Sequence, residues 1–141
     1  MPNAVRLVRS TVLSDVAEYA YAAKVGVSER TLIYTAGACP LDEQGNTVAV
    51  GDYAGQARQV MRNLETALGE AGATLSDVVK STVYVASGDQ ADLVAAWEVV
   101  RESFGDHDAP STLLGVAVLG YDDQLVEVEA VACVTEPPAQ P

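Results

Sequence analysis

The segment that most constrains the fold lies near the C-terminus, where residues 125–134 read Leu-Val-Glu-Val-Glu-Ala-Val-Ala-Cys-Val. This composition is typical of a β-strand. Because side chains alternate between the two faces of a strand, Glu127 and Glu129 share one otherwise apolar face, and only apolar residues occupy the other. Residues 111–119 form a second, almost continuously apolar segment. Both faces of these two strands are therefore predicted to be covered.

The two carboxylates on this strand have three possible environments. A glutamate there can lie at a solvated end of the strand, pair with a cation, or lie in a pocket that suits it to proton transfer. The solvated end is the commonest environment for acidic residues in strands. The strand alone leaves all three interpretations open.

The net charge narrows the choice of partners. Eight basic and 20 acidic residues give a formal net charge of −12. Such an excess of negative charge argues against binding to phosphate backbones or anionic membranes, so we expect neither a nucleic-acid nor a membrane partner. The N-terminus lacks the pattern of a signal peptide, and no window approaches the roughly 20 apolar residues of a membrane span. These features predict a cytoplasmic protein.

Length and composition indicate one domain. A chain of 141 residues with 49% hydrophobic content can bury a sizeable core. We expect a single domain over residues 1–135 and a disordered tail over 136–141, whose prolines cannot join a sheet. Cys39 and Cys133 lack metal-ligand spacing, so no metal site is predicted. Buried thiols are favoured, although a bridge between these two cysteines stays open.

The pattern along the chain predicts an order of strands, helix, strand, helix and two strands. Extended segments are predicted over 5–12, 19–25 and 32–36, with a polar hairpin loop at 27–30. A helix is predicted from an N-cap at Asp52 to Gly72, and a second from Asp89 or Asp92 to Gly105, with a strand over 80–85 between them.

This order defines an α+β fold with a single sheet and two helices on one face. Two helices cover only one face of the sheet, and no remaining segment is long enough to cover the other. Burial against other copies of the chain is the simplest way to cover it. The second face of the sheet is therefore predicted to be an oligomer interface.

Several motifs follow one another along the chain, namely Tyr19-x-x-Ala22-x-Lys24-Val-Gly26, Leu32-Ile-Tyr-Thr-Ala-Gly37-x-x-Pro40, Gln56-Ala-Arg58 with Asn63-Leu64, Asp77-Val-Val-Lys80-x-Thr82-Val-Tyr-Val85, Gly115-Val-Ala117 and Leu125-Val-Glu-Val-Glu-Ala-Val131. Together, and in this order, they resemble the RidA/YjgF family. The resemblance implies a chorismate-mutase-like α+β domain that assembles as a homotrimer, with sites in the clefts between subunits.

The resemblance also implies a set of site residues. Active members of the family hydrolyse reactive 2-imino acids to 2-oxo acids and ammonia, using a tyrosine, an arginine and a glutamate. The glutamate that opens the Glu-x-Glu-Ala motif corresponds to Glu127 and the tyrosine to Tyr19, so these two are the predicted catalytic residues. The turn around the motif glycine corresponds to Ala36, Gly37 and Cys39, which are predicted to bind substrate.

The family's arginine has no counterpart here. Where active members have Pro-Ala-Arg-Ser/Thr-Cys, residues 109–113 read Ala-Pro-Ser-Thr-Leu, which places Ser111 at the arginine position and Thr112 beside it as a second substrate-binding hydroxyl. A serine cannot supply the charge of an arginine fork, so a 2-imino acid is expected to bind poorly. Lys24 and Arg58 are the candidate replacement cations.

The chemistry still open to such a site needs a carboxylate, a phenol, hydroxyls and a water molecule, and no cofactor. Glu127 would orient the water for attack on an imine, while Tyr19 and Thr112 would hold the substrate. This predicts a RidA-like imine or enamine hydrolase that acts on a small reactive metabolite, with an altered substrate. The alternative is a non-catalytic trimer that binds a small metabolite. Endoribonuclease activity, a label sometimes attached to this family, is disfavoured by the negative net charge.

Overall fold

The structure is a computed structural model that describes residues 5–16 and 20–135. Tyr19 and the predicted tail over 136–141 lie outside the described residues. A single turn of 3₁₀-helix, Leu75–Asp77, precedes the fourth strand. The elements, in chain order, are β1 (Val5–Val8), β2 (Ala22–Val27), β3 (Arg30–Thr35), α1 (Tyr53–Glu70), β4 (Val78–Val85), α2 (Gln90–Phe104), β5 (Ser111–Gly115) and β6 (Val126–Thr135).

The six strands form one sheet in the order β1-β2-β3-β6-β4-β5. Every neighbouring pair is antiparallel except β4 and β5, which are parallel because α2 provides the crossover between them. Both helices pack on the same face of the sheet. The predicted fold class, one sheet with two helices on one face, is confirmed.

Both helices begin at aspartate caps. The Asp52 carboxylate accepts a hydrogen bond from the Gly55 backbone N–H at 2.9 Å, and the Asp89 carboxylate accepts one from Ala91 at 2.9 Å, so Asp89 rather than Asp92 caps α2. Gly105, with a φ of 64°, ends α2 as predicted. Among the described residues, no helix is both long enough and apolar enough to cross a bilayer.

The two faces of β6 differ as the alternating pattern predicts. Val126, Val128, Ala130 and Ala132 are buried against the helices, whereas Glu127 and the other residues of the opposite face are only partly covered within one chain. We call the surface of the sheet opposite the helices the open face. It carries large apolar side chains with substantial exposure, namely Val5, Leu7, Val27, Tyr34 and Leu114.

Two predicted strands are shorter in the structure. β5 ends at Gly115, where a Cβ would lie 2.7 Å from the Ser87 carbonyl oxygen, and the following residues leave the sheet, so that Val118 is 77% exposed. β1 ends at Val8 because the next residues bind a helix. The Thr11 N–H donates to the Glu70 carboxylate at 2.9 Å. An apolar or β-branched run is therefore not sufficient for a strand.

Candidate active site

The loop that follows β3 is fixed beside Glu127 from two sides. On the sheet side, Ala38 and Val128 exchange backbone hydrogen bonds, with N–O distances of 2.7 and 3.1 Å. On the helix side, the Asn63 side-chain amide donates to the carbonyl oxygens of Cys39 at 2.8 Å and Leu41 at 3.0 Å. The loop is thus joined to β6 one residue away from Glu127, which brings two of the predicted substrate-binding residues to the predicted catalytic one.

The Glu127 carboxylate is held by uncharged donors. The Cys39 thiol donates to Glu127 Oε1 at 3.2 Å, and the Gln124 side-chain amide donates to the same oxygen at 3.1 Å. The carboxylate lies over Gly37, where a Cβ would be only 2.6 Å from Glu127 Cδ. Residue 37 must therefore be glycine for the carboxylate to take this position. Glu127 is partly exposed and remains accessible to a ligand.

A small cavity opens beside this group. Its volume of about 10 Å³ is close to the minimum space that one water molecule needs. Tyr21 lines the cavity and its hydroxyl donates to the Ser14 carbonyl oxygen. Burial, followed by the nearby Tyr121, Cys39 and Asp15, raises the pKa of Tyr21. Within one chain, this cavity is too small for a metabolite.

The environment of Cys39 favours a protonated thiol. Burial is the main cause of its raised pKa, and the neighbouring Glu127 carboxylate raises that pKa further by disfavouring a second negative charge. We expect iodoacetamide at pH 8 to alkylate Cys39 at least about tenfold more slowly in the folded protein than in urea, because the thiolate is the reactive form. Mass spectrometry of the Cys39 peptide measures this. Equal rates in the two states would contradict the described environment.

The second glutamate of β6 has a different partner. The Tyr84 hydroxyl donates a hydrogen bond to Glu129 on the open face. This hydrogen bond, together with desolvation and the charge of Glu129, raises the pKa of Tyr84 to about 12. Glu129 is therefore paired with a phenol, which favours a structural role.

The raised pKa of Tyr84 predicts a loss of stability at high pH. Between pH 10 and 12 the unfolded chain releases the Tyr84 proton before the folded chain does, so the stability due to this phenol is present below pH 10 and falls as the pH approaches 12. We expect Tyr84→Phe to be less stable than the wild type at pH 8 and the difference to shrink by pH 12. Urea unfolding at both pH values measures it, and a constant difference would contradict the expectation.

Ser111 and Thr112 do not lie beside the Glu127 carboxylate. Ser111 pairs with Ser81 in the register of β4 and β5, on the side that the helices cover, and the two hydroxyls are hydrogen bonded. Ser111 lies two strands away from Glu127 across the sheet and three residues away along the strands. Standard sheet spacings make this separation about 14 Å. Thr112 accepts a hydrogen bond from Lys80 at 2.5 Å on the open face. One chain therefore does not bring these hydroxyls to Glu127.

The candidate replacement cations are not in the Glu127 cluster either. Lys24 lies on the side of β2 that faces the helices, opposite Ile33, and Arg58 is exposed on α1. Tyr19 lies outside the described residues, so its predicted role stays a prediction. The Ala36 backbone N–H donates a hydrogen bond to the backbone carbonyl oxygen of Tyr21 at 2.6 Å.

Sequence reasoning missed three residues of this site. Asn63 and Gln124 act through hydrogen bonds to a loop and a turn, which no periodic pattern reveals. Tyr21 could have been found, because it lies within the segment 19–25 that the sequence predicts to be extended, where alternate residues share a face. No cluster of three or more metal-binding side chains occurs in the parts of the chain that the structure describes.

Comparisons with known proteins identify the class to which this fold and site belong. The family model described as Endoribonuclease L-PSP matches residues 13–134. The chain belongs to this family, which is the RidA/YjgF family that its motifs resemble.

Three relatives illustrate the family. The chain is 38% identical to a RutC family protein of Pyrococcus abyssi, over 81% of this chain and 84% of that one. It is 34% identical to the 3-aminoacrylate deaminase RutC of Acinetobacter baylyi, over 72% and 78%. A crystal structure of a YjgF/YER057c/UK114 family member from Mycobacterium tuberculosis is 32% identical, with a TM-score of 0.71 over 92% of this chain and 99% of that one. The chain thus belongs to a family that includes deaminases.

Proposed function

We propose that the protein is an imine or enamine hydrolase that releases ammonia from a small reactive metabolite. The observation that carries this proposal is the Glu127 carboxylate, which uncharged donors hold in a partly exposed position beside the loop of Gly37 and Cys39. A carboxylate without a bound cation is free to exchange a proton with a substrate. The similarity to a 3-aminoacrylate deaminase supports the same reaction class.

The reaction needs one water molecule and one proton-transfer group. Glu127 accepts a proton from water as the water oxygen bonds to the imine carbon, and then transfers that proton to the nitrogen. The hydroxyl of the resulting carbinolamine then passes its own proton through Glu127 to the same nitrogen, so the carbon–nitrogen bond breaks, ammonia leaves, and the carbon becomes a carbonyl. Atoms and charge balance without a cofactor. Tyr19 is the proposed phenol that orients the substrate.

We propose that the substrate carries no carboxylate next to the imine. By the resemblance of residues 109–113 to the family's motif, Ser111 corresponds to the family's arginine, and a hydroxyl cannot replace a bidentate pair that contributes roughly 1.5–3 kcal/mol. The described residues that line the cavity beside Glu127 include no lysine, arginine or histidine. A substrate carboxylate would meet the negative charge of Glu127 without a compensating cation. A neutral imine avoids this repulsion.

The site is proposed to be completed between the subunits of a homotrimer. Two observations support this: the cavity within one chain holds about one water molecule, and the open face exposes Leu7 at 61% and Tyr34 at 45%. A neighbouring copy would complete the cleft that a single chain leaves open, and the role of Thr112 as a substrate-binding hydroxyl stays a prediction. The proposed location in the cytoplasm stays a prediction.

The proposed assembly predicts a stable trimer in solution. Light scattering coupled to size-exclusion chromatography at micromolar concentration is expected to give three times the mass of the chain, because burying the open face removes its apolar side chains from water. Leu114→Lys, which places a charge on that face, is expected to weaken the assembly. Val94→Lys, on an exposed position of α2, is the matched control. A persistent wild-type monomer would contradict the assembly.

Trapping of imines with semicarbazide tests the proposed function. An amine oxidase or an amino acid oxidase generates the imine, and semicarbazide captures whatever imine has not been hydrolysed. We expect the protein to lower the yield of semicarbazone in proportion to its concentration for at least one neutral imine. Unchanged yields across small aliphatic and aromatic imines, together with saturable binding of a small metabolite, would support the non-catalytic trimer instead.

A further inference from the structure

The side chain of Gln124 is held at all of its polar atoms. Gln124 is 4% exposed and lies in the turn that leads into β6. Its Oε1 accepts a hydrogen bond from the Tyr121 backbone N–H at 3.1 Å, and its Nε2 donates to the Val126 carbonyl oxygen at 3.2 Å and to Glu127 Oε1 at 3.1 Å. An amide nitrogen carries two hydrogens, and these two acceptors use both of them.

These partners also fix the orientation of the amide. A flipped Gln124 would direct its oxygen at the Val126 carbonyl and the Glu127 carboxylate, and its nitrogen at the Tyr121 N–H. All three contacts would then be repulsive. The amide therefore presents a donor to Glu127 in a single orientation, set by the backbone on both sides.

We propose that Gln124 is the positioning residue for Glu127, an inference that rests on the proposed function. Gln124 and Cys39 both bind Oε1, whereas Oε2 is the oxygen that approaches Gly37. Holding one oxygen of the carboxylate fixes the direction of the other. Oε2 is thus the oxygen that exchanges the proton with the substrate, and Gln124 keeps it aligned from one turnover to the next.

The chain contains a matched control for this role. Gln56 is fully buried and holds the same turn, donating from Nε2 to the Asp123 carbonyl oxygen at 2.9 Å and accepting from the Leu125 N–H at 2.7 Å, but it does not bind Glu127. Replacing either glutamine with methionine removes hydrogen bonds from the turn, so both variants are expected to lower the melting temperature. Only the Gln124 variant also releases the carboxylate.

Steady-state kinetics of the full-length wild type and variants test the proposal. We expect Gln124→Met to lower kcat about tenfold with KM within about twofold, and Gln56→Met to leave both within about twofold. In a Glu127→Gln background, Gln124→Met is expected to cause no further loss, because its effect passes through the carboxylate. Equal losses for the two methionine variants, or an undiminished loss in the Glu127→Gln background, would overturn the proposal.

Crystal structures distinguish failure of this inference from failure of the proposed function. The Glu127 carboxylate is expected to leave its place over Gly37 in Gln124→Met and to keep it in Gln56→Met. A carboxylate that stays over Gly37 in Gln124→Met overturns the positioning role, whatever the rate of turnover. A displaced carboxylate in a protein whose wild type hydrolyses no imine would support the positioning contact and overturn the enzymatic function.

Discussion

Glu127→Gln is expected to lower the rate of imine hydrolysis by about a hundredfold or more, the usual contribution of a general acid or base. Glutamine has nearly the same shape, and its side-chain oxygen can still accept the hydrogen bonds from Cys39 and Gln124. The melting temperature and the oligomeric state should therefore change little. Initial rates in the semicarbazide assay, together with a thermal melt, measure both effects.

Glu129→Gln is the control for the loss of one negative charge from the same face of β6. Its partner is the Tyr84 hydroxyl, which can also donate to an amide oxygen. Turnover by this variant is expected to stay within about threefold of the wild type, which is much less than the effect of a lost acid or base. A hundredfold loss in both variants, or in neither, would show that Glu127 does not have the catalytic role assigned to it.

Gly37→Ala is expected to lower turnover by at least about tenfold without unfolding the protein. The new Cβ would lie 2.6 Å from Glu127 Cδ, well inside van der Waals contact, so the carboxylate must move. The atoms in conflict are at the end of a flexible side chain, and the fold can therefore accommodate the change. The loss should appear mainly in kcat, because the displaced group acts on the reacting atoms.

Gly26→Ala separates a positional effect from a general effect of replacing glycine. Gly26 lies in β2, and a Cβ there meets no atom within 4 Å. This variant should keep full turnover and a similar melting temperature. If Gly37→Ala retains wild-type turnover while its crystal structure shows a displaced carboxylate, the position of Glu127 would not matter for the reaction.

Much of the fold could be predicted from local patterns. The alternation along β6 gives the two faces of the central strand, because each side chain's direction follows from its position alone. The caps Asp52 and Asp89 and the terminator Gly105 act on backbone groups next to them in sequence. Such features need no knowledge of distant contacts.

Where β1 ends, and several features of the candidate site, depend on contacts that no local sequence pattern reveals. β1 stops where Glu70, about 60 residues away, binds Thr11, and no local pattern indicates this. The same holds for Asn63, which fixes the loop of Cys39. Gln124 binds residues within three positions of itself, but its role depends on the geometry of a turn that no periodic pattern reveals. Ser111 was placed by resemblance, and its side chain faces the helix-covered side of the sheet.

The pairing of Glu127 with uncharged donors is consistent with our proposal that Ser111 replaces the family's arginine. An amide and a thiol, both uncharged, hold this carboxylate, and such an arrangement disfavours an anionic substrate. The proposed replacement of the arginine by Ser111 and the uncharged lining of the cavity favour the same kind of substrate. A substrate with a carboxylate would need a cation that another subunit supplies.

The most direct test compares ethanimine with 2-iminopropanoate, which differ only by a carboxylate on the imine carbon. With each imine generated in the presence of semicarbazide, kcat/KM is measured for the wild-type protein. We predict a value at least about tenfold higher for ethanimine, because the carboxylate of 2-iminopropanoate would lose its hydration beside the negative charge of Glu127 without a cation to compensate it. An equal or higher value for 2-iminopropanoate, or no hydrolysis of either imine, would contradict the account.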